Sequence, residues 1–175
     1  MKKLFALLIA LMMSLSFAMA EDLPAFDLDP AVLAELDGGY MLLEDFGLQM
    51  FMTNDLVAYE MTEADAAIGT LAILGREDGS LMLTIALAGV ADANGNLVTT
   101  AADLAAFYET QGVYAVEIIM NGLDCITYEV VESGMMGVAF CTADGYVLAF
   151  NVLMGDYEAD KTIASLMLTS ICPAA

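Results

Sequence analysis

The chain has 175 residues, and its 25 aspartates and glutamates face only four lysines and arginines, for a formal net charge of −21. That field repels nucleic acid and anionic lipid, so neither is an expected partner. With no histidine, Ser-His-Asp, Cys-His and zinc-His chemistries are closed, and with no tryptophan the usual stacking platform for sugars is missing.

Lys2 and Lys3 open the chain, Leu4 to Phe17 is mostly apolar, and Ala18-Met19-Ala20 has the small-x-small pattern that a signal peptidase reads. The apolar run is shorter than the roughly 20 residues of a membrane span, and Glu21-Asp22 follows it at once. Residues 1–20 are therefore expected to be a signal peptide cleaved after Ala20. The protein is then secreted or extracytoplasmic, with no membrane insertion after cleavage. Cleavage leaves Arg76 and Lys161 as the basic residues. Such acidity attracts a cationic partner, peptide or metal ion, but an acid-biased proteome or a salty habitat explains it without any site.

The remainder has the size of one ordinary domain, which buries enough surface to fold without metal or disulfide. Residues 21–45 read as an acidic N-terminal arm with a short helix, and 46–175 as a single α+β domain. In the arm, Asp29 caps a helix that has Pro30 at its first position, Leu33 on its apolar side and Gly38 as its stop. Tyr40 to Met52 reads as two short strands around Glu44-Asp45. A loop with a helical turn begun by Thr62 follows. Ile68–Leu74 and Leu81–Leu87, separated by a turn containing Asp78-Gly79, read as a hairpin. Their near-continuous hydrophobicity predicts strands covered on both faces.

Thr100 with Asp103 starts the clearest helix, with Leu104, Phe107 and Tyr108 on its apolar side and Gly112 at its end. Tyr114 to Val152 reads as three or four strands joined at Asn121-Gly122, Glu132-Ser133-Gly134 and Ala143-Asp144-Gly145. A last helix runs from about Tyr157 to Ile171, and Pro173 ends it. Hairpins force an antiparallel sheet, and helices at separate points in the chain can cover both its faces. The expected fold is α+β, an antiparallel sheet of about six to seven strands with helices on both faces, a three-layer sandwich.

Gly47-Leu48-Gln49-Met50, Glu117 to Leu123, Asp144 to Phe150 and Ser170-Ile171-Cys172-Pro173 carry a resemblance. From about Phe46 to Pro173 the chain resembles the PsbP-like fold of exported proteins, which includes a photosystem accessory subunit and DcrB-like envelope proteins. The resemblance implies an accessory or binding protein with no shared active site, and it transfers no functional residue. The extreme acidity departs from the family and leaves its partners behind.

Several constellations have a functional reading beside a plain one. Asp92, Asn94, Asn96 and Asp103 partly mimic a calcium loop, but Leu97 stands where such loops need glycine, and an Asn-Gly turn explains the segment. Glu117 lies within the apolar strand Val116-Glu117-Ile118-Ile119; turned toward an apolar face it would suit acid catalysis, and at a strand edge it simply reaches water. Lys161 precedes Ser165 by one helical turn, the spacing of a Ser-Lys dyad and equally of a solvated lysine. Phe107, Tyr128, Phe140, Tyr146 and Phe150 could line a cleft, but their alternation favours the core. The 14 methionines, four of which leave with the signal peptide, lack the close spacing of a copper tract and read as core filling.

The cysteines give the sharpest expectation. With Glu132-Ser133-Gly134 as a three-residue loop, Val130 faces Met136, Tyr128 faces Val138 and Ile126 faces Phe140, which sets Cys125 opposite Cys141. Cys125 and Cys141 are thus a possible disulfide, strained because directly opposed residues sit farther apart than a relaxed bond prefers, and Cys172 is the odd thiol.

The resulting functional expectation is a secreted, non-enzymatic binding or accessory protein without cofactor, whose partner is an unknown protein or a small apolar ligand. The alternatives are a carboxylate-based, glycosidase-like hydrolase and a weak divalent-cation binder. An apolar cleft without converging carboxylates, a pair of carboxyls across a groove, or several oxygens at one point would separate the three.

Overall fold

Turn chemistry lays out the main sheet. The computed structural model describes residues 23–142 and 144–174, so the expected signal peptide and its cleavage point lie outside the described residues. Strands β5 (Thr70–Gly75) and β6 (Leu81–Gly89) form the expected hairpin, with Gly79 left-handed at its turn. Strands β7 (Ala115–Met120), β8 (Leu123–Val130), β9 (Met135–Cys141) and β10 (Tyr146–Met154) form the expected meander. The nine-residue strands β10 and β6 then pair antiparallel along their whole length, which closes the two hairpin systems into one sheet.

Short edge strands raise the sheet to eight. Strand β1 (Ala25–Phe26) adds parallel to β7 at one edge, and β4 (Val57–Ala58) adds to β5 at the other, for the order β1-β7-β8-β9-β10-β6-β5-β4. A separate three-stranded sheet is made by β2 (Gly38–Leu43), β3 (Leu48–Thr53) and β11 (Cys172–Pro173), with β3 in the middle.

The helices begin where side-chain caps satisfy the first free backbone N–H groups. Thr62 and Asp65 cap each other at α1 (Glu63–Ala67), Thr100 caps α2 (Ala101–Thr110), and Asp156 caps α3 (Tyr157–Thr169). Helix α2 lies over β7, β8 and β9, burying Leu104, Ile126, Tyr128 and Ala139. On the other face α3 and β3 cover the sheet, burying Met50, Leu83, Ile85, Phe150, Met167 and Ile171. The architecture is an α+β sandwich with helices on both faces of a largely antiparallel sheet. Among the described residues no helix is long and apolar enough to cross a membrane.

Four sequence expectations need correction. Residues 23–45 do not stand apart as an arm: β1 joins the main sheet, β2 joins the small one, and Leu33 is buried against Phe51 and Leu166. The short helix capped by Asp29 is a single 3₁₀ turn, Pro30–Val32. Coverage of β5 and β6 is one-sided. Leu81, Leu83 and Ile85 are buried, whereas Met82, Thr84 and Ala86 are half-buried because α2 sits over the other half of the sheet.

The fourth correction is the β8–β9 register. Val131–Ser133 forms a 3₁₀ turn closed by left-handed Gly134, so the loop begins one residue earlier than expected and Val130 faces Met135. Tyr128 then faces Gly137 and Ile126 faces Ala139. The one-residue shift puts Cys125 in the core under α3 and Cys141 on the α2 side, on opposite faces of the sheet. All three cysteines are free thiols, and the expected adjacency of Cys125 and Cys141, with the possible bond between them, is lost because their side chains leave opposite faces of the sheet. Beneath α2 the register sets Ile126 against Ala139 and Tyr128 against Gly137, large against small, which leaves room for the helix.

Candidate functional site

Three tight turns gather at one end of the sandwich. Asn121 and Gly122 are both left-handed, with φ of 50° and 79°, and make the two-residue link between Met120 and Leu123. The β9–β10 turn is closed by Thr142 N–H donating to the Tyr146 carbonyl at 2.7 Å, with Gly145 left-handed at φ 79°. The third is a 3₁₀ turn, Glu44–Phe46, ended by left-handed Gly47 whose N–H bonds the Glu44 carbonyl at 3.1 Å.

Between these turns lies a cleft of about 640 Å³ that opens to solvent and takes lining residues from both sheets. Leu48, Leu87, Leu123, Phe140 and Leu148 provide an apolar lining. Phe140 packs edge-on against Phe150, with ring centroids 6.0 Å apart, so that part of the wall is anchored in the core. The lining also includes three exposed carboxylates, Asp45 and Asp144 from two of the turns and Asp124 from the start of β8. The volume falls within the roughly 300–1,000 Å³ of small-ligand sites.

Asn121 holds this end rigid. Its Nδ2 donates to the carbonyls of Thr169 and Ile171, at 2.8 and 2.7 Å, and its Oδ1 accepts from the Leu28 N–H at 2.8 Å. One side chain thereby ties the β7–β8 turn to the C-terminus of α3 and to the segment after β1. The sequence marks Asn121 only as a turn former, and nothing in the local pattern marks the clamp.

The rim carboxylates face no cation within the described residues. Arg76 bonds Asp55 through Nε and Asp160 through a guanidinium NH, both at 2.7 Å, and Lys161 bonds Glu158 at 2.8 Å while lying over the Tyr157 ring. Lys161 is thus held by Glu158 and not directed at Ser165. Among the described residues no three carboxylate or thiol groups converge to metal-ligand distance.

The other candidates resolve individually. Asp92 spends its carboxylate inside its own turn: Oδ1 accepts from the Asn94 and Asn96 N–H groups, both at 2.8 Å, and Oδ2 accepts from Asn96 Nδ2 at 3.0 Å. The Asn96 side chain, followed by these backbone bonds, holds its pKa below the usual range. Asp103 accepts from the Thr100 hydroxyl at 2.8 Å, so the two ends of the calcium-like pattern serve separate local structures. Glu117 is half-buried opposite Ile126, away from the cleft. Of the aromatics, Phe140 and Tyr146 line the cleft; Phe150 and Tyr128 are core.

Tyr128 heads a polar chain under α2. Its ring lies 4.7 Å from that of Tyr108, and its hydroxyl donates to Asn151 Oδ1. Burial pushes its phenol far above the ordinary range, so it stays protonated.

A search of family models and of curated proteins finds no match to the chain. Among solved structures, the solution structure of cyanobacterial PsbP (CyanoP) from Synechocystis is similar, with a TM-score of 0.54 at 12% identity, covering 79% of this chain and 94% of that one. The fold is PsbP-like. At that identity the likeness concerns architecture, and the cleft residues have to be read from their own chemistry.

Proposed function

We propose that the protein is a non-enzymatic, exported binding protein that lodges an apolar group of its ligand in the cleft between the Asn121-Gly122, Glu44–Phe46 and Thr142–Gly145 turns. The observation that carries this reading is a largely apolar cleft of about 640 Å³ whose lining carboxylates do not converge. The PsbP-like fold supports an accessory or binding role, and kinship with DcrB-like envelope proteins belongs to the same proposal.

Titration with the neutral apolar dye Nile red, followed by amide chemical shifts, tests the site. Phe46, Leu123 and Tyr146 are expected to shift, and Leu123→Gln to weaken the dye several-fold while leaving the circular dichroism spectrum intact. Dye-induced shifts centred instead on the half-covered sheet face around Leu153 would overturn the assignment. For export, N-terminal sequencing of the secreted form is expected to begin at Glu21; recovery of an intact Met1 outside the cell refutes it.

A further inference from the structure

We infer that the occupant of the cleft is a basic, apolar peptide segment of a partner protein, in which lysine or arginine residues flank aliphatic or aromatic ones. The inference rests on the binding reading above and adds the charge and form of the ligand. The lining Leu48, Leu87, Leu123 and Leu148 accepts hydrocarbon and has no means of holding a charge. Charge recognition falls to the exposed carboxylates of the lining, Asp45 and Asp144 from two turns and Asp124 from the start of β8.

Two features favour a peptide over a metal ion or a single ammonium. First, the lining carboxylates come from three separate segments and do not converge as a metal-holding group, which matches several separated cationic groups. Second, the apolar lining reaches the surface at Tyr146, which is 48% exposed and offers a contact for flanking residues. The net charge of −21 adds long-range attraction for a polycation and raises its encounter rate. The chain's own cations past Lys3, Arg76 and Lys161, are committed elsewhere and leave the rim open to a partner's.

The test uses a labelled six-residue peptide alternating leucine and lysine, with glutamine-for-lysine and serine-for-leucine counterparts, each titrated by fluorescence anisotropy and mapped by amide shifts. The lysine–leucine peptide is expected to shift the cleft residues, with both counterparts markedly weaker. The triple variant Asp45→Asn, Asp124→Asn, Asp144→Asn is expected to weaken it roughly tenfold at low salt, the sum of three partly exposed ion pairs. A control triple, Glu35→Gln, Glu77→Gln, Glu132→Gln, removes the same charge from exposed sites elsewhere and is expected to weaken it less than about threefold, by the general field alone.

Equal losses in the two triples would overturn the inference, because attraction would then belong to the whole surface. Equal affinity for the lysine and glutamine peptides would overturn it while the cleft reading stands. Peptide shifts absent from the cleft, with Nile red still bound there, would overturn it in the same way. Absence of both probes from the cleft removes the binding reading as well.

Discussion

Tyr128 folds its ring across Gly137, the residue directly opposite it on β9, so closely that a Cβ at position 137 would fall inside the phenol. The contact lets the hydroxyl reach Asn151, the next residue along the same row, which pairs with Gly137 from β10. Gly137→Ala is therefore expected to destabilise the fold by about 1–3 kcal/mol, since overpacking outweighs the ~0.4–1 kcal/mol gained by stiffening the unfolded chain. Urea denaturation measures it. An unchanged midpoint would mean that Tyr128 has another place to go.

Asn121 is expected to matter more than its place in a surface turn implies. Asn121→Gly keeps the left-handed backbone but deletes three side-chain hydrogen bonds, for a loss of about 2–4 kcal/mol. Asn121→Asp turns a carboxylate toward two carbonyl oxygens, so its penalty should be larger at neutral pH and shrink in acid, where a protonated oxygen can donate again. A penalty independent of pH would contradict the donor role.

Arg76 is the partner that lets Asp160 be buried; the side chains are 27% and 11% exposed. Breaking a fully buried pair costs about 3–5 kcal/mol, and the residual exposure of Arg76 lowers the expectation for Arg76→Met to about 2 kcal/mol. The double variant Arg76→Met, Asp160→Leu should recover most of that, as no orphan charge remains. Thermal melts of the three proteins decide, and a double variant no better than the single would refute the account.

Stability should peak in mild acid. Partial desolvation holds the Glu129 carboxyl above its usual range, with Glu158 reinforcing and Lys161 opposing. A raised folded pKa contributes stability below the unfolded value and loses it as pH rises, the same direction as relief of the repulsion among the carboxylates. Asp65, Asp78 and Asp92 are held low by hydrogen bonds, from Thr62, Ser80 and Asn96 respectively, and lose their contribution as pH falls through their folded pKa values, below about 3.8. Urea midpoints should accordingly rise from pH 7 to about pH 5 and fall below about pH 4. Glu129→Gln should flatten the upper limb slightly, as the side chain is largely exposed.

The thiols should react in order of burial. Burial, with Asp124 adding to it, pushes the Cys125 thiol up to about 12, whereas Cys141 and Cys172 are half-buried. Iodoacetamide on the native protein is expected to label Cys141 and Cys172 well before Cys125. Non-reducing peptide maps should contain no Cys125–Cys141 crosslink; finding one would require the β8–β9 register to slip by a residue.

That register marks the boundary of what was legible. Thr62 and Thr100 cap their helices, and Asn121-Gly122, Gly134 and Gly145 make their turns, because each depends on backbone preferences of a few adjacent residues. The edge strands β1, β4 and β11 escaped notice because two-residue strands have no periodicity and exist only where a neighbour offers free backbone groups. The alternation of the aromatics favours the core for Phe140 and Tyr146 alike, and their meeting with Asp45, Asp124 and Asp144 in the cleft is not visible in any local pattern.

The sequence by itself determined the α+β class, the order of the main hairpins and helices, and the acid character of the surface, all of which follow from local propensity and composition. Tertiary structure alone decided the pairing of Tyr128 with Gly137, the separation of Cys125 from Cys141, the clamp of Asn121 on α3 and the opening of the cleft. These depend on which large side chain finds room beside which small one across strands distant in the chain. Close packing settles that choice only when all the elements are in place.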